Sequence, residues 1–199
     1  MATQLERSSA TREKTIAATI ELLVERGYAG ATIAAVAERA GVSRGAVSHQ
    51  YPDKRRLVVD VVDEIARRRT VEAQALLAAV PPGRQRVEAG LDELWVVFKS
   101  PIYTAALEVY VAGRTDPALR PRVLRLEAEI EEALRDVVRR MTGLAPGERQ
   151  VEVHADVVIN TLRGLALMYT TGMPVPPLER AWAQARTDAA RWLTELAEA

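Results

Sequence analysis

The chain has 199 residues, no cysteine, and 27 basic against 27 acidic side chains, which suffices for one domain or for a small domain fused to a larger one. The absence of cysteine excludes disulfides, thiol nucleophiles and cysteine-ligated zinc. No apolar run approaches the roughly 20 residues that span a bilayer, and the polar start lacks the apolar core of a secretion signal, so we expect a cytoplasmic protein without membrane contact.

Apolar residues recur at helical spacing along the chain, and no alternating pattern of a strand stands out. The sequence therefore predicts an all-α protein of about nine helices. A mobile arm is expected over residues 1–9, and breaks are expected at Pro81–Gly83 and over residues 143–147. The helices are predicted over about 11–26, 33–40, 44–50, 53–79, 84–99, 102–113, 116–142, 148–171 and 177–197.

The second and third predicted helices form a recognisable pair. Thr32 is placed to cap the first of them, and Gly41 accepts the positive φ that a tight helix exit requires. Ser43 is placed to cap the second, which begins at Arg44. Two short helices joined by a few residues with a glycine form a helix-turn-helix, whose second helix enters the DNA major groove.

The stretch AERAGVSRGAVSHQYPDKRRLV closely resembles the DNA-binding signature of TetR-type transcriptional regulators. In that family a glycine-tyrosine pair ends a long first helix, as at Gly27–Tyr28, and an aromatic-Pro-x-Lys segment opens the fourth helix, as at Tyr51–Lys54. The motif covers roughly residues 10–60, and the resemblance of the rest is architectural. Ser48 departs from the pattern, because the family most often has there a tyrosine that touches a phosphate.

Outward positions of this motif are the candidate DNA contacts. Arg44 can make a bidentate contact with guanine or bind phosphate, and Gly45 lets the helix approach DNA closely. Gln50 could pair with an adenine edge if it faces the groove. The full predicted set is Thr32, Ser43, Arg44, Gly45, Ser48, His49, Gln50 and Lys54.

Charge is distributed unevenly between the ends of the chain. Residues 1–56 hold nine Lys or Arg against six Asp or Glu, and the remainder holds 18 against 21. A basic head suits phosphate binding. We predict a DNA-binding domain over residues 1–55 and an effector-binding and dimerisation domain over residues 56–199.

The last two predicted helices carry apolar stripes at spacings of three and four. Two such helices can pack against their symmetry copies as a four-helix bundle, and the resembled family dimerises through its last two helices. The alternative is that the stripes face the core of their own chain. The predicted interface comprises Val158, Leu162, Leu165, Tyr169, Trp182, Ala185, Ala189 and Trp192.

The resemblance also implies a small-molecule pocket in the body, whose occupancy changes the spacing of two DNA-binding heads. The candidate lining is mostly aromatic and apolar, which favours an apolar effector, although the same stripe is also typical of plain core. Asn160 and Arg163 could fix a polar ligand group or satisfy an acid within the bundle. The candidate pocket residues are Leu94, Trp95, Phe98, Tyr103, Leu107, Tyr110, Asn160 and Arg163.

The expected function is therefore sequence-specific regulation of transcription, with a homodimer on a palindromic operator and, as the resemblance implies, release by an unidentified small molecule. The alternative is a DNA-bound scaffolding protein or an activator that is regulated by a protein partner instead of a small molecule. The chain lacks a Gly-rich phosphate loop and a G-x-S-x-G elbow. Of its two histidines, His49 belongs to the DNA-binding motif, and Glu152 and Asp156 lie two residues from His154, a spacing that points them to other faces of a helix. We therefore expect no enzyme, cofactor or metal.

Overall fold

The computed structural model describes residues 4–79, 86–143 and 149–198, and its described part consists of helices and the turns between them, without a strand. The all-α prediction is confirmed. The predicted breaks at Pro81–Gly83 and over 144–147 lie outside the described residues. The helices are α1 (Gln4–Gly30), α2 (Ile33–Ala40), α3 (Arg44–Gln50), α4 (Lys54–Ala79), α5 (Arg86–Phe98), α6 (Pro101–Thr115), α7 (Arg120–Thr142), α8 (Arg149–Thr170) and α9 (Val175–Glu198).

The described residues form two compact units. The first contains the chain up to Arg68 together with Pro101–Glu127, and the rest forms the second. The chain passes between the units within α4 and α7 and at the junction of α5 and α6. The predicted boundary between a DNA-binding domain (1–55) and an effector-binding and dimerisation domain (56–199) is a functional division, and it stays a prediction.

The first helix begins earlier than its sequence suggested. Residues 4–10 belong to α1, so the predicted mobile arm over residues 1–9 is wrong for its described part. One local and one long-range bond hold this segment: the Ser9 hydroxyl donates to Glu13 at 3.3 Å, and the Ser8 carbonyl accepts from the Gln50 side chain at 2.9 Å. The polar character of this segment misled the prediction, because an exposed first turn needs no apolar stripe.

The core of the first unit assembles around the short helices. Leu22 and Leu23 of α1, Val36 of α2, Val47 of α3 and Leu57 of α4 are all at most 1 % exposed. Burying each of these side chains contributes about 1.5–3 kcal/mol. This shared apolar centre fixes α3 against its neighbours and leaves the opposite face of α3 to solvent.

A polar junction closes the end of α1. Gly27 has φ +66°, and the next residue, Tyr28, donates its backbone N–H to the Glu108 carboxylate of α6 at 2.8 Å. The Tyr28 carbonyl accepts from the Lys54 ammonium, which also lies 3.8 Å from the centre of the Tyr28 ring. Both backbone polar groups of Tyr28 are therefore bonded by charged side chains from distant helices.

The second unit has an aromatic junction between α5 and α9. The rings of Trp95 and Trp182 stack with centroids 5.3 Å apart. Glu179 accepts from the Trp95 indole N–H at 3.1 Å and from the Lys99 ammonium at 3.0 Å. The stacked rings, with the Trp95 indole N–H bonded to Glu179 of α9, hold the two helices in one register.

Ion pairs join α7 to α8 within the same unit. The Arg139 guanidinium, only 12 % exposed, lies 2.7 Å from the Glu152 carboxylate, and Arg135 lies 2.9 Å from Asp156.

No helix in the described part of the chain is long and apolar enough to cross a membrane.

Candidate nucleic-acid interface

The turn between α2 and α3 has the geometry that its sequence predicted. The Thr32 hydroxyl accepts from the Ala35 N–H at 3.2 Å and caps α2. Gly41 has φ +65°, and the N–H groups of Gly41 and Val42 return to carbonyls of α2 at 3.1 and 3.0 Å. These bonds satisfy the last carbonyls of α2, so the chain can leave the helix sharply.

Replacing Gly41 by alanine should destabilise the fold by about 1–2 kcal/mol, because an L-residue with a Cβ is strained at this φ. A denaturant titration would measure the change in the free energy of unfolding. Gly45→Ala is the matched control: Gly45 is helical, and a Cβ there would meet only the Ser43 hydroxyl at 3.9 Å. Equal stability of Gly41→Ala and wild type would contradict the prediction.

The exposed face of α3 presents most of the predicted DNA contacts. Ser43 caps α3 by accepting from the Ala46 N–H at 3.1 Å. Arg44, Gly45, Ser48 and His49 are all exposed. Arg44 has no hydrogen bond or ion pair within the described residues, so its guanidinium is available to a ligand. The polar atoms of this face can bind phosphates or base edges without breaking internal contacts.

Two predicted contacts are engaged inside the protein. The half-buried Gln50 donates its side-chain N–H to the Ser8 carbonyl at 2.9 Å. The Lys54 ammonium is bonded to Tyr28, and burial lowers the pKa of Lys54. The structure thus gives both side chains a positioning role, because each satisfies a carbonyl of α1. Their contacts with DNA remain predictions, and each would require an internal bond to break.

A cluster that the sequence did not indicate supports α3 from behind. Tyr51, only 4 % exposed, donates its hydroxyl to the Asp60 carboxylate at 2.9 Å. The Arg12 guanidinium binds the same oxygen at 2.9 Å. Burial and the bond to Asp60 raise the pKa of Tyr51 to about 12. Residues 12, 51 and 60 come from separate elements, so no local spacing signals their meeting.

Replacing Tyr51 by phenylalanine removes the hydroxyl that binds Asp60 and should change how the free energy of unfolding depends on pH. Folding keeps the phenol neutral, so its contribution to stability is complete below the unfolded pKa of about 10 and is lost as pH rises through about 12. We expect the free energy of unfolding of wild type to exceed that of Tyr51→Phe by about 1 kcal/mol near neutral pH. The difference should narrow as pH rises from about 10 to about 12. Urea titrations from pH 8 to about 12 would measure it, and a constant gap would contradict the assignment.

The candidate pocket residues are divided between the two units. Leu94, Trp95 and Phe98 are buried in the second unit, where they pack within the core. Tyr103 is buried in the first unit, and Leu107 and Tyr110 are half-buried there.

The two polar candidates for the pocket lie on α8. Asn160 is exposed and donates to the Asp156 carbonyl at 2.8 Å. Arg163 is half-buried and reaches the Asn160 side-chain oxygen at 3.4 Å. The apolar residues around Asn160 in the sequence suggested a buried position, but its side chain is exposed and does not point into the core. A ligand contact by either residue stays a prediction.

The predicted dimer stripe faces inward over much of its length. Val158, Leu162, Trp182 and Ala189 are at most 4 % exposed within the single chain, which leaves little of their surface for a partner. The remaining members, Leu165, Ala185, Trp192 and Tyr169, are half-buried or exposed.

A neighbouring face of α8 is apolar and exposed. Val153, Val157 and Met168 are 53 %, 45 % and 36 % exposed, and Gly164 lies between them with open space where a Cβ would be. Beside this face runs a groove of about 400 Å³. Its lining comes from α8 and α9: Val157, Val158, Thr161, Ala181, Trp182, Gln184, Ala185, Asp188, Ala189 and Trp192.

Among the described residues, no group of three or more His, Cys, Asp or Glu side chains is placed to hold a metal ion. The His154 ring lies against Trp192 with centroids 5.9 Å apart and contacts the Gln150 carbonyl at 2.7 Å. Both contacts are local packing of α8 and α9.

A capped helix-turn-helix with an exposed recognition helix, on an all-α body, defines a DNA-binding transcriptional regulator. The family profile "Bacterial regulatory proteins, tetR family" matches residues 16–61. The chain is 33% identical over 168 residues to the HTH-type transcriptional regulator CymR of Pseudomonas putida, covering 83% of this chain and 82% of CymR. It belongs to the TetR family of transcriptional regulators.

Other relatives and structures agree with this family. The HTH-type transcriptional repressor AcnR of Corynebacterium glutamicum is 26% identical over 154 residues, covering 77% of this chain and 76% of AcnR. A TetR transcription regulator from Haloarcula marismortui has the same fold, with a TM-score of 0.70 at 22% identity over 93% of this chain and 97% of its own. Bacillus subtilis FadR in complex with stearoyl-CoA also shares it, with a TM-score of 0.63 at 12% identity over 92% and 97% of the two chains.

Proposed function

We propose that this protein is a homodimeric repressor that binds an inverted-repeat operator and leaves it when a small, largely apolar molecule binds. The observation that carries the proposal is the free, exposed Arg44 at the amino end of the capped helix α3. An arginine in this position can read guanine or bind phosphate, while the helix N–H groups favour phosphate. Repression is supported by the relative AcnR, which is a transcriptional repressor.

Two heads are needed because one helix contacts too few base pairs to select a site in a genome. A two-fold dimer binds two half-sites one helical turn, or a multiple, apart. The exposed face of α8 at Val153, Val157, Gly164 and Met168 supports the dimer, since an apolar strip of this kind favours contact with a second copy. We therefore place the proposed interface on this face, beside the groove with α9.

Release by an effector requires that the effector bind the DNA-free conformation more tightly. A coupling of about 1–3 kcal/mol would lower operator affinity by about 5- to 150-fold. The aromatic character of Trp95 and Phe98, which both lie in the second unit, supports an apolar effector. The same fold holds the acyl ligand stearoyl-CoA in FadR.

Selection from random duplex DNA at stated salt tests the proposal. Enrichment of an inverted repeat, bound by two chains, is the expected result, and release of that duplex can then be screened against apolar and aromatic metabolites. Enrichment of a sequence without symmetry would contradict the dimer. An enriched operator that no small molecule releases would favour the alternative, a DNA-bound scaffold or activator governed by a protein partner.

A further inference from the structure

The turn between α6 and α7 carries a basic surface that the helix-turn-helix does not include. Residues 109–126 contain four arginines and one acid, Asp116. Arg114 and Arg120 are exposed, and neither guanidinium has a hydrogen bond or ion pair within the described residues. Both line a shallow groove of about 290 Å³, together with Thr115, Pro117, Pro121 and Leu124. We call Arg114 and Arg120 the turn arginines.

The acid within this segment is already neutralised. The Asp116 carboxylate, 15 % exposed, binds the Arg55 guanidinium at 2.8 Å and also accepts from the Ala118 N–H at 2.9 Å. Another arginine of the segment, Arg122, pairs with Asp63. The surface charge of the turn is therefore supplied by the unpaired arginines and is positive.

The Arg55–Asp116 pair also locates this surface. Arg55 is the second residue of α4, which begins directly after the helix-turn-helix. The turn is thus tied to the end of the chain's DNA-reading segment, in the same compact unit. That unit holds 15 basic and 12 acidic side chains, whereas the rest holds 12 and 15.

We infer that the turn arginines form a second nucleic-acid contact, which binds backbone phosphates flanking each half-site. This inference rests on the proposed operator binding and extends the contact beyond α3. Guanidinium groups that are exposed and unpaired can bind phosphate while every internal bond stays in place. The contact adds affinity without reading base sequence. Charge complementarity and continuity with the α4 end of the head favour DNA over an acidic protein.

The test compares wild type with the double variant Arg114→Ala/Arg120→Ala on two duplexes. One carries the selected operator with about ten flanking base pairs on each side, and the other is trimmed to the ends of the half-sites. The dependence of log affinity on log salt is measured for each. On the flanked duplex the magnitude of the slope should fall by about 0.9 for each phosphate that the variant no longer neutralises, or by about 3.6 for four arginines in a dimer. On the trimmed duplex the two proteins should have equal slopes.

The control variant Arg140→Ala/Arg180→Ala removes the same charge from two other exposed arginines that have no partner within the described residues. It should keep the wild-type slope on the flanked duplex. Circular dichroism and sedimentation check that each variant keeps its helices and oligomeric state, and Arg114→Gln/Arg120→Gln replaces the alanine variant if that one misfolds.

Equal slopes for wild type and the turn variant on the flanked duplex would overturn the inference and leave operator binding intact. A reduced slope on both duplexes would place the contact inside the half-sites and overturn the flanking assignment. If wild type enriches no DNA sequence, the proposed operator binding fails, and this inference fails with it.

Discussion

Replacing Arg44 by alanine should lower operator affinity by between about 30-fold and 10⁴-fold while the protein stays folded. A bidentate arginine–guanine contact contributes about 1–3 kcal/mol of discrimination, and a dimer makes the contact twice. Because Arg44 is exposed and has no partner within the described residues, its removal should change the free energy of unfolding by no more than about 0.5 kcal/mol. Titration of the selected operator and urea denaturation measure the two quantities.

Arg26→Ala is the matched control, since Arg26 is an exposed arginine of the same unit outside the helix-turn-helix. It should bind the operator like wild type. A drop in stability of Arg44→Ala, or an equal drop in affinity of the two variants, would show that Arg44 does not read DNA in the way proposed. If affinity falls equally for specific and random duplexes, Arg44 binds phosphate instead of guanine.

Replacing Val157 by glutamate should weaken the dimer at least a hundredfold. Val157 is 45 % exposed and borders the groove between α8 and α9. In the proposed dimer each new carboxylate would be removed from water without a partner, which costs several kcal/mol per ion. The single chain should tolerate the change because the side chain already reaches solvent. Sedimentation equilibrium measures dimerisation, and operator affinity should fall with it.

Two further variants separate disruption of the interface from general damage. Val96→Glu places the same charge on α5, where Val96 is 60 % exposed, and it should leave the dimer intact. Gly164→Leu adds bulk at a position where a Cβ would have no neighbour within 4 Å among the described residues, so it should obstruct a partner. If Val157→Glu and Gly164→Leu both remain dimeric, the interface lies elsewhere.

The helix-turn-helix could be predicted from sequence because its signals are local. Thr32, Gly41 and Ser43 each act within four residues of their own position, and the structure confirms all three roles. Caps and positive-φ glycines are chemical requirements of a helix end, so they appear directly in the residue types. Once Val47 is assigned to the core, helical geometry places Arg44, Ser48 and His49 on the exposed face of α3.

The orientation of α8 could not be predicted in the same way. Apolar residues occupy adjacent positions there, such as Val157 and Val158, and helical spacing fits a stripe through either one. Packing decides between them: Val158 is 3 % exposed and Val157 is 45 %. Glu108 was missed for a related reason, since its partner Tyr28 is 80 residues away and nothing local marks the pair.

The two hydroxyl caps have a consequence for which residues these positions can accept. In Thr32 and Ser43 the oxygen is used by a backbone N–H, while the hydroxyl hydrogen stays available to a phosphate. Aspartate would cap each helix equally well but would repel the phosphate, and alanine would serve neither purpose. If these hydroxyls bind DNA as proposed, each position needs a neutral side chain that accepts a hydrogen bond and donates one. In serine and threonine a single oxygen does both, so selection for folding and selection for operator binding act on the same atom.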